Sequence, residues 1–484
     1  MLWPDESPSF PGMSKHVPAR LVTRRRLLKA AGAGALAAGL PLSQGLLAAE
    51  SRTDLTIQPA SFPVTGPVTR GMVSASPDAP PPVIRMAQHQ AFRSRVNNTL
   101  ADHTAMHWHG IRVPNAMDGV PYLTQIPIGP GESYDYAFTP QDAGTFWYHP
   151  HCMTMDQMAL GFTGVLVVEE AEDPGFDTDI ALNLRDFRLN GEGQFIDLWT
   201  ARGAARGGTF GTVMTANWQT APGYEAPSGG LLRLRLTATD TTRVSQIFVP
   251  GAEGQVIALD GHPLETPFAI PQTEEDGVVL SPGQRADLAI RMPASEGQSL
   301  AVMTAAPGPA RQLATLTATG PDTGRDLREL RPLPPNPVAI PDLANARREE
   351  FVFGWSPIGD LPDNGLCGTL GYTFWSINRQ AWPGDAVAGT GPLATFRLGE
   401  SAVLRLRNES PNRHPIHLHG LTFRVIASNQ REIRSHWTDT ALLLPEESLD
   451  IALVMDNPGD WAFHCHIIEH QKTGLAGFIR VRDA

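Results

Sequence analysis

Cysteine is scarce in this chain: Cys152, Cys367 and Cys465 are the three among 484 residues. A count this small and odd excludes a disulfide-framed scaffold and leaves at least one thiol without a bridge. Long apolar runs are missing as well. No 18-residue apolar stretch occurs after residue 50, so no helical membrane span is expected there. Positive charge is short: 38 Lys and Arg stand against 50 Asp and Glu, a formal net charge of -12. That balance argues against nucleic-acid binding. Glycine and proline are plentiful at 46 and 43 residues, as expected where many short strands are joined by turns. The length is too great for one sandwich and suits three domains of ~150 residues.

Histidine carries the chemistry. Ten of the 15 histidines fall in four motifs: His107-Trp108-His109, His149-Pro150-His151, His414-Pro415-Ile416-His417-Leu418-His419, and His464-Cys465-His466 followed by His470. One H-x-H pair arises easily by chance. Four of them, one enclosing a cysteine, are hard to explain as core or surface residues, because polar groups are rarely buried without partners. On an extended strand side chains alternate faces, so Cys465 points one way and His464 and His466 the other. One strand can then serve two metal sites and join them covalently. Two His and one Cys with a weak or absent axial ligand make a blue-copper electron-transfer site, and imidazole-only sites suit coppers that cycle and bind oxygen.

These motifs resemble those of the multicopper oxidases, the laccase-like enzymes, over nearly the whole chain after residue 50. The resemblance implies an all-β fold of three cupredoxin-like Greek-key β-sandwich domains and four copper ions. His414, Cys465 and His470 match the type 1, electron-accepting copper, with Leu475 at an axial position that cannot coordinate. His107 and His417 match the type 2 copper. His109, His149, His151, His419, His464 and His466 match the type 3 pair. The last three coppers form the cluster that reduces dioxygen to water. Cys465 thus also counts as a catalytic residue, together with Asp118, which matches an acid that supplies protons beside the cluster. The competing reading of Asp118 is a turn residue in Asp118-Gly119. Many bacterial relatives carry a carboxylate just after the last type 1 histidine; here that position is Gln471. Strand alternation would point the neighbouring Glu469 elsewhere, and Asp439 has no assigned place.

The chain also repeats itself. His107-Trp108-His109-Gly110 resembles His417-Leu418-His419-Gly420, and Phe146-Trp147-Tyr148-His149-Pro150-His151 resembles Trp461-Ala462-Phe463-His464-Cys465-His466. Pro150 stands where Cys465 does, so the first copy cannot hold a blue copper. The expected organisation is an export leader over 1–49, a first cupredoxin domain over 50–172, a second over 173–335 without copper ligands, and a third over 336–484. The Pro-rich stretch from Arg331 to Pro337 links the last two. The leader reads as a twin-arginine signal: Arg24-Arg25-Arg26 precede a small-residue apolar run ending near Ala49. Residues 1–49 carry a net charge of +4, so their removal leaves -16. The mature protein is then expected in the periplasm or otherwise exported, as a monomer without a membrane span.

Three points stay open. The substrate partnered with dioxygen is a phenol or aromatic amine or, on the alternative reading, Mn(II) or Cu(I). A non-enzymatic cell-division role is a remote further alternative, which the full ligand set opposes. Cys152 and Cys367 either pair in an oxidising compartment or are small buried residues, the reading preferred from the sequence. Met153, Met155 and Met158 read as gap-filling apolar residues rather than a copper(I) patch.

Overall fold

The computed structural model describes residues 51–305, 308–357, 367–382, 384 and 391–483; the expected leader lies outside them. The described chain is almost entirely β, as the family resemblance implies. Its α-helices are short turns at Thr154–Ala159, Ala201–Ala204 and Ile468–Lys472. Strand Phe92–Asn98 shows how the elements form: Phe92, Ser94, Val96 and Asn98 face inward while Arg93 and Arg95 face water, the period of two that an extended backbone imposes. None of the described helices is long and apolar enough to cross a membrane.

The strands make six sheets among the described residues, and each pair of sheets encloses one core. The first core holds Phe92, Trp108, Phe146 and Leu166. The second is aliphatic, with Leu234, Val256, Leu288 and Leu316. The third holds Phe353, Leu406, Ile416, Phe463 and Cys465.

The first and third cores share a construction. In the first, strand Met106–His109 lies antiparallel to Gly144–Pro150, with His107 opposite His149 and Met106 opposite Pro150. In the third, His414–Leu418 lies antiparallel to Gly459–Cys465, with His417 opposite His464 and Ile416 opposite Cys465. The residues aligned as repeats therefore occupy the same register, and Pro150 takes the place of Cys465. In both pairs the odd-faced residues, Trp108 and Leu418, enter the core, which turns His107, His109, His417 and His419 out of their own sandwiches toward a common space.

Cys152 and Cys367 are bonded, with Cα atoms 4.5 Å apart, which corrects the preference for unpaired cysteines. Their 215-residue separation hid a proximity that only the tertiary fold creates. The bridge ties the turn after His151 to the segment before Trp375, and Met153 N also donates to Cys367 O at 3.1 Å. Closing so long a loop stabilises by roughly 5 kcal/mol in the chain-entropy picture. Met155 and Met158 pack beside Trp147 and Ile468 as core filling.

Candidate metal centres

Five groups of side chains converge on points where an ion would fit; one combines His107 and His419 with Asp118, and the other four are built from the motif residues alone. His414, Cys465 and His470 form one; His109, His149 and His466 a second; His151, His419 and His464 a third; His107, His109 and His417 a fourth. Within each, the ligand atoms lie within 4.8 Å of one another, and all are buried. The ten motif histidines and Cys465 are thus all brought together, while among the described residues none of the scattered histidines joins them.

The local backbone explains the split of Cys465 from its neighbours. Strand Gly459–Cys465 ends at the thiol, and a short helix begins at Ile468. The helical turn carries His470 back over Cys465, so its Nδ1 lies 3.5 Å from Sγ, while His414 Nδ1 lies 3.6 Å away. His464 and His466 leave by the opposite face.

The donor set fits copper. Buried nitrogens His107 Nε2, His109 Nδ1, His149 Nε2, His151 Nδ1 and His417 Nε2 have no hydrogen-bond partner. Each such orphan costs about 1–3 kcal/mol, a cost that a metal–ligand bond removes. The opposite nitrogens of four of these rings are anchored. His107 Nδ1 donates to Asp118 O at 2.9 Å, His149 Nδ1 to Pro150 O at 3.0 Å, His417 Nδ1 to Asp439 O at 2.9 Å and His109 Nε2 to Asp439 Oδ1 at 2.9 Å. Fixing one nitrogen so that the other points at the ion is how ligand imidazoles are oriented. Burial pushes His109, His149, His151, His414, His419 and His466 well below the usual imidazole range, and His464 and His470 down to about 3. The rings are therefore neutral at physiological pH, the form that binds metal.

Comparison with known proteins agrees with this donor set. Multicopper oxidase family models match residues 56–173 and 368–484, the two stretches that carry the ligand motifs. A multi-copper oxidase of Pseudomonas thermotolerans, known by its crystal structure, is 39% identical; the match covers 90% of this chain and 100% of that one, with a TM-score of 0.80. The corresponding protein of Pseudomonas parafulva is 37% identical over 89% of this chain and 100% of its own, with a TM-score of 0.77. Multicopper oxidase MmcO of Mycobacterium tuberculosis is 29% identical over 92% of this chain and 91% of its own. The chain belongs to the multicopper oxidase family. It is a copper-dependent oxidoreductase that uses dioxygen.

The surround of the oxidase's imidazoles holds what the motifs could not show. Asp439, unplaced from the sequence, is central. Its Oδ1 meets His109 at 2.9 Å, its Oδ2 accepts from Arg285 Nη2 at 2.6 Å, and Thr440 Oγ1 donates to Oδ1 at 2.8 Å. Burial alone would raise its pKa, but the Arg285 guanidinium and His109 hold the carboxyl well below the usual range. Gly110 makes room for this pair: its φ is +86°, and a Cβ there would lie 2.6 Å from Arg285 Nη2 and 2.7 Å from Asp439 Oδ2. The second sandwich, expected to lack copper ligands, supplies Arg285 to this network.

Asp118 lies between two ligand rings. Its Oδ2 accepts from His419 Nδ1 at 3.0 Å, and its Oδ1 is 3.2 Å from His107 Nδ1. It is also a turn residue, because Gly119 follows at φ +82° and passes so close to Met106 O that no Cβ fits. The Gln471 amide lies 3.3 Å from His151 Nε2. Glu469 does turn away, but because it sits on a helix rather than a strand. Its carboxylate accepts from Thr209 N and, at 2.5 Å, from Thr209 Oγ1. Leu475 is fully buried and pinned beside the thiol by two backbone bonds, Cys465 N to Leu475 O at 3.0 Å and Leu475 N to His470 O at 2.9 Å.

Proposed function

We propose that this oxidase is laccase-like. It takes single electrons from a phenol or aromatic amine at a type 1 copper held by His414, Cys465 and His470. It delivers four of them to dioxygen at a trinuclear cluster. His107 and His417 would hold the type 2 copper, His109, His149 and His466 one type 3 copper, and His151, His419 and His464 the other. The carrying observation is the strand that ends at Cys465: its thiol faces one metal group while the flanking imidazoles face two others. The backbone from Cys465 to His464 and His466 would give electrons a covalent route from the thiol side to the oxygen side. Bound copper supplies reversible one-electron chemistry at the first site and oxygen binding at the cluster. The residues orient, exclude water and hold protons. Asp118 is assigned proton delivery. The Cys152–Cys367 bond supports an exported protein, since such bonds persist in oxidising compartments. We assign residues 1–49 the role of a twin-arginine leader to the periplasm or cell exterior.

The test is a metal count and an oxygen-uptake panel on purified, copper-loaded protein. We expect close to four coppers per chain, a visible blue band, and faster uptake with phenols than with Mn(II) or Cu(I). A count well below four without a blue band would sink the assignment, and faster uptake with a metal ion would replace the donor class.

Leu475 sets the driving force. Leucine offers no thioether donor, so a copper held by His414, Cys465 and His470 would be less stable as Cu(II) relative to Cu(I), and its potential would be higher. Leu475→Met should lower the type 1 potential by on the order of 60 mV, which is tenfold in a one-electron equilibrium. A redox titration of the blue band that shows no fall would remove the axial role.

A further inference from the structure

The type 1 triad is closed to direct contact. His470 is fully buried, and its outward Nε2 donates to Arg206 O, 2.5 Å away in the second sandwich. His414 is also fully buried, and its Nε2 is bonded to Ser410 Oγ at 2.8 Å. Neither imidazole offers an edge to a dissolved donor.

A pair of indoles bridges the gap. Trp375 is fully buried, with its ring centroid 4.7 Å from that of His470 and 5.0 Å from that of His414. Its Nε1 donates to Ala204 O at 2.7 Å, and its backbone N donates to Thr473 O at 2.9 Å, so the ring is fixed against both ligands. Its other neighbour is Trp355, its cross-strand partner, at 4.2 Å between centroids and 16° between planes. Trp355 is 40% exposed. A half-exposed indole offers a flat aromatic face on which another ring can stack in an offset or edge-to-face arrangement. The two indoles thus form one stacked path from solvent to the type 1 ligands.

We propose that Trp355 is the outer electron port of this enzyme. A planar, electron-rich aromatic donor stacks on its exposed face, and one electron passes through the Trp355–Trp375 stack to the ligands of the type 1 copper. The donor is oxidised by one electron, and a phenol releases its proton to water and leaves as a neutral radical. The type 1 site is reduced by one electron, and both indoles end unchanged. Because the port lies on the surface, it accepts bulky or polymer-linked phenols that could not reach a sunken imidazole. The proposal rests on the laccase-like reading above and names its donor site.

Two measurements test it. In anaerobic stopped flow, guaiacol should bleach the blue band of Trp355→Ala at least about tenfold more slowly than wild type, with copper content and blue absorbance unchanged. Trp355→Phe, which keeps an aromatic face, should fall between. Where Trp355→Ala fails to hold copper, the Trp355→Phe rate decides, and a wild-type rate there overturns the port. The second readout involves no turnover. In fluorotryptophan-labelled protein, fully reduced without oxygen, guaiacol should shift the fluorine resonance that Trp355→Phe removes. Wild-type bleaching in Trp355→Ala, or a Trp355 resonance unmoved while bleaching saturates with guaiacol, overturns the port. Wild-type protein without a blue band or oxygen uptake would instead overturn the laccase-like reading beneath it.

Discussion

Asp439→Ala should be the most damaging single change outside the ligand set. Asp439 is 2% exposed, and Arg285, its partner at 2.6 Å, is fully buried. Removing the carboxylate breaks this buried pair and leaves the guanidinium on its longer contact with Asp260, at 3.6 Å, a loss of up to about 3–5 kcal/mol. The same change frees His109 from the acceptor that orients it, and loss of such an anchor lowers metal affinity about 10–100-fold. We expect a lower melting temperature together with loss of copper from the cluster. The type 1 blue band should persist, because His414, Cys465 and His470 do not touch Asp439. Asp439→Asn separates the two effects. It preserves shape and an acceptor oxygen for His109 but not the charge that Arg285 requires, so stability should fall further than copper content. Melting curves and metal analysis on both variants check this. A copper-replete Asp439→Ala protein of wild-type stability would show that the pair is dispensable.

Why the ligands were legible and Asp439 was not follows from the range of the interactions. Coordination chemistry restricts the residue types, and strand alternation fixes their faces over two or three positions, so H-x-H and His464-Cys465-His466 declare themselves locally. Asp439 acquires its meaning from Arg285 and His109, 154 and 330 positions away. Nothing local in the sequence singles out Arg285. The Cys152–Cys367 bond was hidden for the same reason. Glu469 failed differently: the change from strand to helix after Ile467 spans too few residues to show a helical period, and the helix lacks a side-chain cap. The all-β fold was legible through the family resemblance that the motifs carry, and the shared register of the first and third cores in the repeated motifs. The pairing of Trp355 with Trp375 needed the strand register itself.

Asp118→Asn should slow oxygen reduction while sparing the blue site, and the structure makes this substitution unusually clean. Two acids touch the ligand imidazoles, but they are not equivalent. Asp439 is held deprotonated by Arg285, so it is poorly placed to give up or collect protons. Asp118 faces His107 and His419 rather than a guanidinium. On the proposed function, with Gln471 where many bacterial relatives carry a carboxylate, proton delivery would fall more heavily on Asp118. Asparagine fits the Asp118-Gly119 turn as well as aspartate does, and the bond from His107 to the Asp118 carbonyl is indifferent to the side chain. The turn role is therefore retained and the proton role removed. Loss of a positioned acid or base typically costs about 10²–10⁴-fold in rate. In stopped flow the donor should still bleach the blue band at the wild-type rate, and its return on mixing with oxygen should be slower by that factor. Normal reoxidation in Asp118→Asn would reduce Asp118 to a turn residue and leave the protons of oxygen reduction to another route.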